Sequence, residues 1–175
     1  MEKIISELKC KPVVTFVTEV CNMSLDEDIQ QSKWKSEFSK VVVNLLFTSN
    51  WVSERQHRLF KPYDLTQPQY NVLRILRGQY PKPCTVNLII ERMLDRMSNA
   101  SRIVDKLEKK GLVIRSQCKN DRRAVDVVIS DSGLDLLSQI DDGLKEWEGL
   151  IRNLSDQECE QLNGLLDKFR KPLTQ

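Results

Sequence analysis

The sequence predicts a mainly α-helical chain with one small β-hairpin, an α+β fold class. Apolar residues recur at three- and four-residue steps along most of its 175 residues. Several of these segments begin with Ser or Thr followed three residues later by Glu or Gln, the pattern of a capped helix start. Residues 112–129 hold two β-branched runs separated by a polar turn. A chain of this length is expected to form one domain, or one domain with an appendage.

Composition argues against several classes of protein. No stretch approaches the ~20 apolar residues of a membrane-spanning helix, so no membrane association is expected. Residues 1–11 lack the apolar core of a signal peptide, and the cysteines at 10, 21, 84, 118 and 159 form no C-x-x-C pair. These features predict a cytoplasmic protein without a disulfide framework. His57 is the single histidine, so no metal site and no cofactor is expected.

Motifs of common enzyme classes are missing from the sequence. It contains no Walker loop, no dinucleotide-binding glycine pattern, no G-x-S-x-G and no H-E-x-x-H. We therefore predict that the chain is not an enzyme.

Residues 1–33 form an N-terminal extension whose role the sequence leaves open. Residues 13–18 have the composition of a strand, and Ser24 opens an acidic segment typical of a helix start. The extension could be an ordered arm or a loose tail. From about Lys33 to Leu59 the apolar residues follow helical spacing, and Pro62 ends this helix.

Two short helices joined by a turn are predicted in the middle of the chain. They follow a helix that begins at Thr66, the expected N-cap, and breaks at Gly78, Pro81 and Pro83. Helices over 85–94 and 99–110 come next, separated by the turn 95–97. We expect Ser98 to cap the second of them and Gly111 to end it. This order is typical of a helix-turn-helix.

A β-hairpin follows the helix-turn-helix directly. Residues 112–115 and 125–129 have strand composition, and residues 119–123 form a polar turn. Two more helices are then predicted: 131–153, capped by Ser130 or Asp131, and a last helix that starts with a capping box at Ser155 and ends near Pro172.

Charge is unevenly distributed along the chain. Residues 91–123 hold ten bases and five acids, whereas residues 131–175 hold ten acids and five bases. A basic middle segment predicts a surface for a polyanion, although charges can also scatter without function.

The helix over 99–110 has two chemically different faces. Ala100, Val104 and Leu107 fall on the apolar face, together with Ile103, and Arg102 falls on the polar one. Most such helices are ordinary amphipathic surface helices. A basic hairpin directly after the helix instead favours a winged helix, whose recognition helix enters the major groove of DNA and whose wing arginines enter the minor groove.

Several motifs, in this order, resemble the MarR family of transcription regulators. They are Leu65-Thr66-x-x-Gln69-x-x-Val72-Leu73, Ser98 through Arg102, Val104 through Val113, Asp121-Arg122-Arg123-Ala124, and Ile129-Ser130-x-x-Gly133. The resemblance covers roughly residues 34–171.

The resemblance implies a homodimeric winged-helix protein that binds double-stranded DNA at a pseudo-palindrome. Most members repress transcription, and many release DNA when a small molecule binds. It implies a helical dimerisation region at 34–64 and 131–175 and a winged-helix DNA-binding lobe at 65–130. The predicted DNA-binding residues are Ser98, Asn99, Ser101, Arg102, Lys106, Arg122 and Arg123. Asp121 is expected to orient Arg123 or simply to form the turn.

The sequence also contains candidate residues for the recognition of an effector. Trp51, Arg55 and Tyr70 are candidates for a ligand pocket, although residues of this kind are more often packed in a core or an interface. The first family helix has no cysteine at the position used by peroxide-sensing members, whereas Cys118 lies between Arg115 and Lys119, where it could be reactive or inert. The alternatives are a redox-responsive regulator of the same fold, or a winged-helix module that binds proteins or binds DNA without sequence preference.

Overall fold

The computed structural model describes residues 24–117 and 125–172. The predicted strand at 13–18 and the predicted turn at 119–123 therefore lie outside the described residues. The chain divides into two compact units, Met1–Thr48 and Ser49–Gln175. No helix among the described residues is long and apolar enough to cross a membrane.

The described residues form helices and strands in the order that the sequence predicts, with one additional strand. The mainly helical α+β fold class is thus confirmed. The elements are α1 (Leu25–Asp28), α2 (Glu37–Phe60), α3 (Gln67–Gln79), β1 (Cys84–Thr85), α4 (Val86–Arg92), α5 (Ala100–Lys109), β2 (Val113–Gln117), β3 (Val125–Ile129), α6 (Asp131–Ile151) and α7 (Asp156–Arg170).

In the first unit, Asp26 connects α1 to the residues that follow it. Its carboxylate accepts hydrogen bonds from Nε1 of Trp34 at 2.7 Å and from Nζ of Lys40 at 2.8 Å. The bond from Lys40, followed by that from Trp34, lowers the pKa of the Asp26 carboxyl. The predicted acidic helix start is present, and the Ser24 N–H donates to Glu27 Oε2 at 2.8 Å.

The long helix α2 begins four residues later than the sequence predicts. Ser36 and Ser39 account for this, because Ser39 N donates to Ser36 Oγ at 3.1 Å and Ser36 N donates to Ser39 Oγ at 3.2 Å. Such reciprocal bonds satisfy N–H groups at a helix start. At the other end, a 3-10 turn over Lys61–Tyr63 places Pro62 just beyond the helix.

Helix α3 starts where the sequence predicts. Thr66 Oγ1 accepts from Gln69 N at 3.4 Å, and Gln69 Oε1 accepts from Thr66 N at 3.0 Å, which completes a capping box. Ser130 and Ser155 cap α6 and α7 as Thr66 caps α3. The hydroxyl oxygen of each serine accepts a hydrogen bond from the backbone N–H three residues later.

Strand β1 is the element that sequence reasoning misses. Cys84 pairs with Val127 and Thr85 with Asp126, so the antiparallel sheet has the order β1-β3-β2. Two residues are too short to show strand periodicity. Because Thr85 also caps the next helix, α4 covers Val86–Arg92 instead of the predicted 85–94.

One apolar core lies in the second unit, between α3, α4, α5, α6 and the sheet. Its fully buried side chains include members of each of these helices: Val72, Leu73, Ile89, Val104, Leu107, Leu137 and Ile140. Burial of this apolar surface is the main force that orients α5.

Two glycines are required where the chain leaves α5 and where it enters α6. Gly111 has φ +71°, and the N–H of Leu112 donates to Leu107 O at 3.0 Å, as in a Schellman motif. A Cβ on Gly133 would collide with the carbonyl oxygen of Leu112 and would lie 2.7 Å from Cγ1 of Ile129. Both positions therefore require glycine, Gly111 for its backbone angle and Gly133 for space.

We expect Gly133→Ala to lower the free energy of unfolding by about 2 kcal/mol, because the added methyl group has no room beside Leu112 and Ile129. Gly149→Ala on the same helix is the control, since a Cβ there meets no atom within 4 Å. Alanine is the better helix former, so the control should be neutral or stabilise by up to about 1 kcal/mol. Urea unfolding measures both, and equal stabilities would contradict the close packing at Gly133.

Candidate nucleic-acid interface

Helix α5 is held against the core by its apolar face. Ala100, Val104 and Leu107 are buried, and Ile103 packs against the core. The helix is contacted by α3, α4 and β2. The apolar face of this helix is therefore fixed in the second unit, and its opposite face is directed outward.

The outward face of α5 brings together four of the predicted DNA-binding residues. Asn99, Ser101, Arg102 and Lys106 are all exposed. Among the described residues, no carboxylate forms an ion pair with Arg102 or Lys106. Both cations can bind an external anion, and Ser101 adds a hydroxyl that can donate or accept.

The expected N-cap of α5 is corrected by the structure. Asn99, not Ser98, caps the helix, because Asn99 Oδ1 accepts from Arg102 N at 3.0 Å. This bond uses the carbonyl oxygen of the Asn99 side chain and leaves its amide group as a donor. The one-residue error arose because Ser and Asn are equally good caps, so composition could not choose between them.

Ser98 belongs to the turn before α5. It is half-buried, and its hydroxyl donates to Asp95 Oδ2 at 2.6 Å, while the Met97 N–H donates to Asp95 Oδ1 at 2.9 Å. These bonds, Ser98 first, lower the pKa of the Asp95 carboxyl. Asn71 Oδ1 accepts from Leu94 N at 3.0 Å, which ties the turn to α3. The turn thus positions the start of α5.

Arg115 on β2 is a positioning residue that the sequence reasoning did not assign. Its guanidinium forms ion pairs with Asp105 and, at 3.3 Å, with Glu108, both on α5. The two acids of α5 are thereby neutralised on the side of the helix that faces β2. A pair of acids three residues apart on the helix, followed by an arginine on the next strand, was the signal available in the sequence.

The predicted wing residues cannot be placed on this surface. Strands β2 and β3 pair antiparallel, with Gln117 opposite Val125. Asp121, Arg122, Arg123 and Cys118 lie outside the described residues, so their predicted roles stay predictions.

The three candidate ligand-pocket residues form local pairs within the second unit. The Arg55 guanidinium lies 3.6 Å from the ring centroid of Trp51. The Tyr70 ring stacks on Phe60 with centroids 4.4 Å apart, and its hydroxyl accepts from Arg74 Nη1 at 2.9 Å. A ligand-binding role for Trp51, Arg55 and Tyr70 stays a prediction.

Among the described cysteines, Cys84 is buried in β1 and Cys159 is exposed on α7. Burial raises the pKa of the Cys84 thiol, which lowers the thiolate fraction that reacts with oxidants.

Within the described residues, no three His, Cys, Asp or Glu side chains are grouped so that they could hold a metal ion.

Removing the Arg115 side chain should loosen α5. We expect Arg115→Ala to lower the free energy of unfolding by about 1 kcal/mol, since it deletes ion pairs to two residues of the helix at a partly buried site. Lys145→Ala is the control, because its ion pair to Asp142 is largely solvent-exposed. Thermal unfolding compares the two, and an Arg115 variant as stable as the control would show that the bridge does not hold the helix.

Comparisons with known proteins agree with the arrangement of a helix-turn-helix followed by a hairpin. The sequence model of the MarR family matches residues 65–125. A MarR transcription factor from Planctomyces limnophilus has 26% sequence identity and a TM-score of 0.60, and the match covers 77% of this chain and 98% of that protein.

Two solved structures relate the fold to DNA. A mutant MarR from E. coli complexed with operator DNA matches with a TM-score of 0.65 and 24% identity, over 85% of this chain and 100% of that one. MepR from S. aureus in its DNA-binding conformation matches with a TM-score of 0.60 and 23% identity, over 74% and 95% of the two chains.

These findings confirm the sequence prediction. MarR-family proteins are transcription regulators, which agrees with the prediction that the chain is not an enzyme. The chain carries a MarR-family domain over residues 65–125, within a winged helix-turn-helix fold that is similar to those of MarR transcription regulators.

Proposed function

We propose that the protein is a homodimeric, sequence-specific repressor that binds a pseudo-palindromic operator and leaves it when a small ligand binds. The observation that carries this proposal is the outward face of α5, where Asn99, Ser101 and Arg102 are exposed on a helix whose other face is buried. A rigid helix with polar side chains at its N-terminus has the form that enters a major groove.

Each exposed residue of this face has a role that its chemistry allows. Arg102 donates to guanine N7 and O6, since a guanidinium can form two parallel hydrogen bonds with that edge. Ser101 and the amide group of Asn99 contact base edges or phosphates beside it. Lys106, farther along the helix, contacts the backbone as a point charge.

The remaining predicted contacts complete the surface. Ser98 stabilises the turn through Asp95 and contacts a phosphate only when its hydroxyl turns from Asp95 to donate to a phosphate oxygen. Arg122 and Arg123 enter the minor groove, with Asp121 orienting Arg123. The DNA-complexed relative supports a DNA-binding role for this fold. Residues 65–130 then form the DNA-binding lobe.

Dimerisation is supported by apolar side chains that stay exposed in both units. Val41 and Leu46 on α2 are 43% and 62% exposed, and Leu162 and Leu165 on α7 are 45% and 64% exposed. Such side chains are expected to be buried in an interface. We assign residues 34–64 and 131–175 to a dimerisation region on this basis.

Release from DNA requires two states with different ligand affinity. A ligand that binds the state with mismatched half-site spacing shifts the population away from the DNA-bound state. Trp51, Arg55 and Tyr70 are the proposed contacts of this effector, because their rings and guanidinium suit a small phenolic or lipophilic molecule.

Selection of bound duplexes from a random DNA pool supplies the operator, after which Arg102→Ala tests the proposed contact. We expect the variant to lose about 1–3 kcal/mol of operator affinity and to tolerate changes at one base position of each half-site, because the guanidinium reads a base edge. Fluorescence anisotropy with matched and mismatched operators measures both effects.

Arg152→Ala is the matched control, since Arg152 is also exposed but lies at the end of α6 and pairs with Asp156. An Arg102 variant that binds the operator with the affinity and base preference of this control would refute the assignment of α5 as the reading helix.

Leu165→Glu tests the dimer. A charge placed in a buried apolar interface is costly, so we expect the variant to sediment as a monomer at micromolar concentration and to bind a two-half-site operator more weakly. Asn163→Asp adds the same charge to the same helix at an exposed position that faces away from Leu165, because residues two apart do not share a helix face, and it should stay dimeric. A Leu165 variant that remains a dimer would show that this face of α7 is not the interface.

A further inference from the structure

A concave groove lies in the second unit beside the second half of α5. It has a volume of about 510 Å³ and is formed by the end of α2, the 3-10 turn, the start of α3 and α5. Four lysines line it, one from the 3-10 turn and three from the second half and end of α5: Lys61, Lys106, Lys109 and Lys110. The groove therefore concentrates positive charge that neither the core nor the capping pattern requires.

Little of this charge is neutralised by the residues that the structure describes. Asp64 is the acid that lines the groove, and its carboxylate pairs with Lys110 at 2.9 Å. No carboxylate of the described residues forms an ion pair with Lys61, Lys106 or Lys109. Like charges around one concavity repel each other, so an anion that enters the groove relieves this repulsion and is bound favourably.

The start of α3 adds to the positive potential. Thr66 and Gln69, at the N-terminus of this 13-residue helix, line the groove, and the positive end of the helix dipole therefore faces it. Leu65, also in the lining, is buried and offers little apolar surface. The lysines and this helix end together suit a compact, highly charged anion.

We propose that this groove is a phosphate-binding site. Lysine binds phosphate as a point charge, and several lysines favour a multiply charged anion over a single carboxylate. The phosphate that occupies the groove can come from two sources, the backbone of bound DNA or a free phosphorylated molecule. Lys106 belongs both to the groove and to the outward face of α5, so occupation by a free phosphate would compete with DNA.

The first arm of the test uses inorganic tripolyphosphate and the full-length protein. His57 lines the groove and is the single histidine of the chain, so its imidazole gives one assignable NMR signal. We expect tripolyphosphate to shift this signal and to bind, by calorimetry, at least about tenfold more weakly to Lys61→Gln/Lys109→Gln. Lys33→Gln/Lys82→Gln removes the same charge at two exposed positions outside the groove and outside the proposed dimerisation region, and it should bind like the wild type.

The second arm measures operator affinity against salt concentration for the same proteins, and it rests on the proposed function. If DNA phosphates occupy the groove, the salt dependence of the groove variant becomes shallower by about 0.9 for each phosphate that its lysines no longer neutralise. The control double variant keeps the wild-type slope.

The two arms separate the sources of phosphate. Loss of tripolyphosphate binding alone identifies a free phosphorylated ligand, and a shallower slope alone identifies the DNA backbone. If the groove variant matches the control in both arms, the phosphate site is overturned. Failure of wild-type operator binding contradicts the proposed function and leaves the tripolyphosphate arm as an independent test of the groove.

Discussion

The burial of one face of α5 is the constraint on which the rest of the site depends. Ala100, Val104 and Leu107 are buried in the core of the second unit, so the helix cannot rotate without exposing them to water. Its polar face is therefore presented at a fixed orientation. Preorganisation of this kind lowers the entropy lost when side chains such as Arg102 bind a base edge.

The charged side chains of α5 fall into two groups. Arg115 pairs with Asp105 and Glu108, which removes the acids of the helix from the outward surface. Arg102 and Lys106 are exposed on that surface, and Lys106 also lines the lysine groove. The net charge of the whole chain is only +2, so this local separation creates the binding potential.

Local signals in the sequence were sufficient for most of the fold. The capping box at Thr66 and the glycine at 111 locate helix ends because their chemistry is confined to one turn. Strand β1 and the Arg115 bridge were missed, since each depends on a partner far along the chain or across an element boundary. The groove was missed for the same reason, because three separate segments supply its lysines and its helix N-terminus.

Dimethyl sulfate protection of the selected operator is the most direct test of the central claim, that α5 reads the major groove. Dimethyl sulfate methylates guanine N7, the atom that Arg102 is proposed to contact. We predict that the wild-type protein protects guanines in two half-sites about one helical turn apart and that Arg102→Ala loses this protection. An operator that is fully bound while its guanine N7 atoms stay reactive would contradict the account.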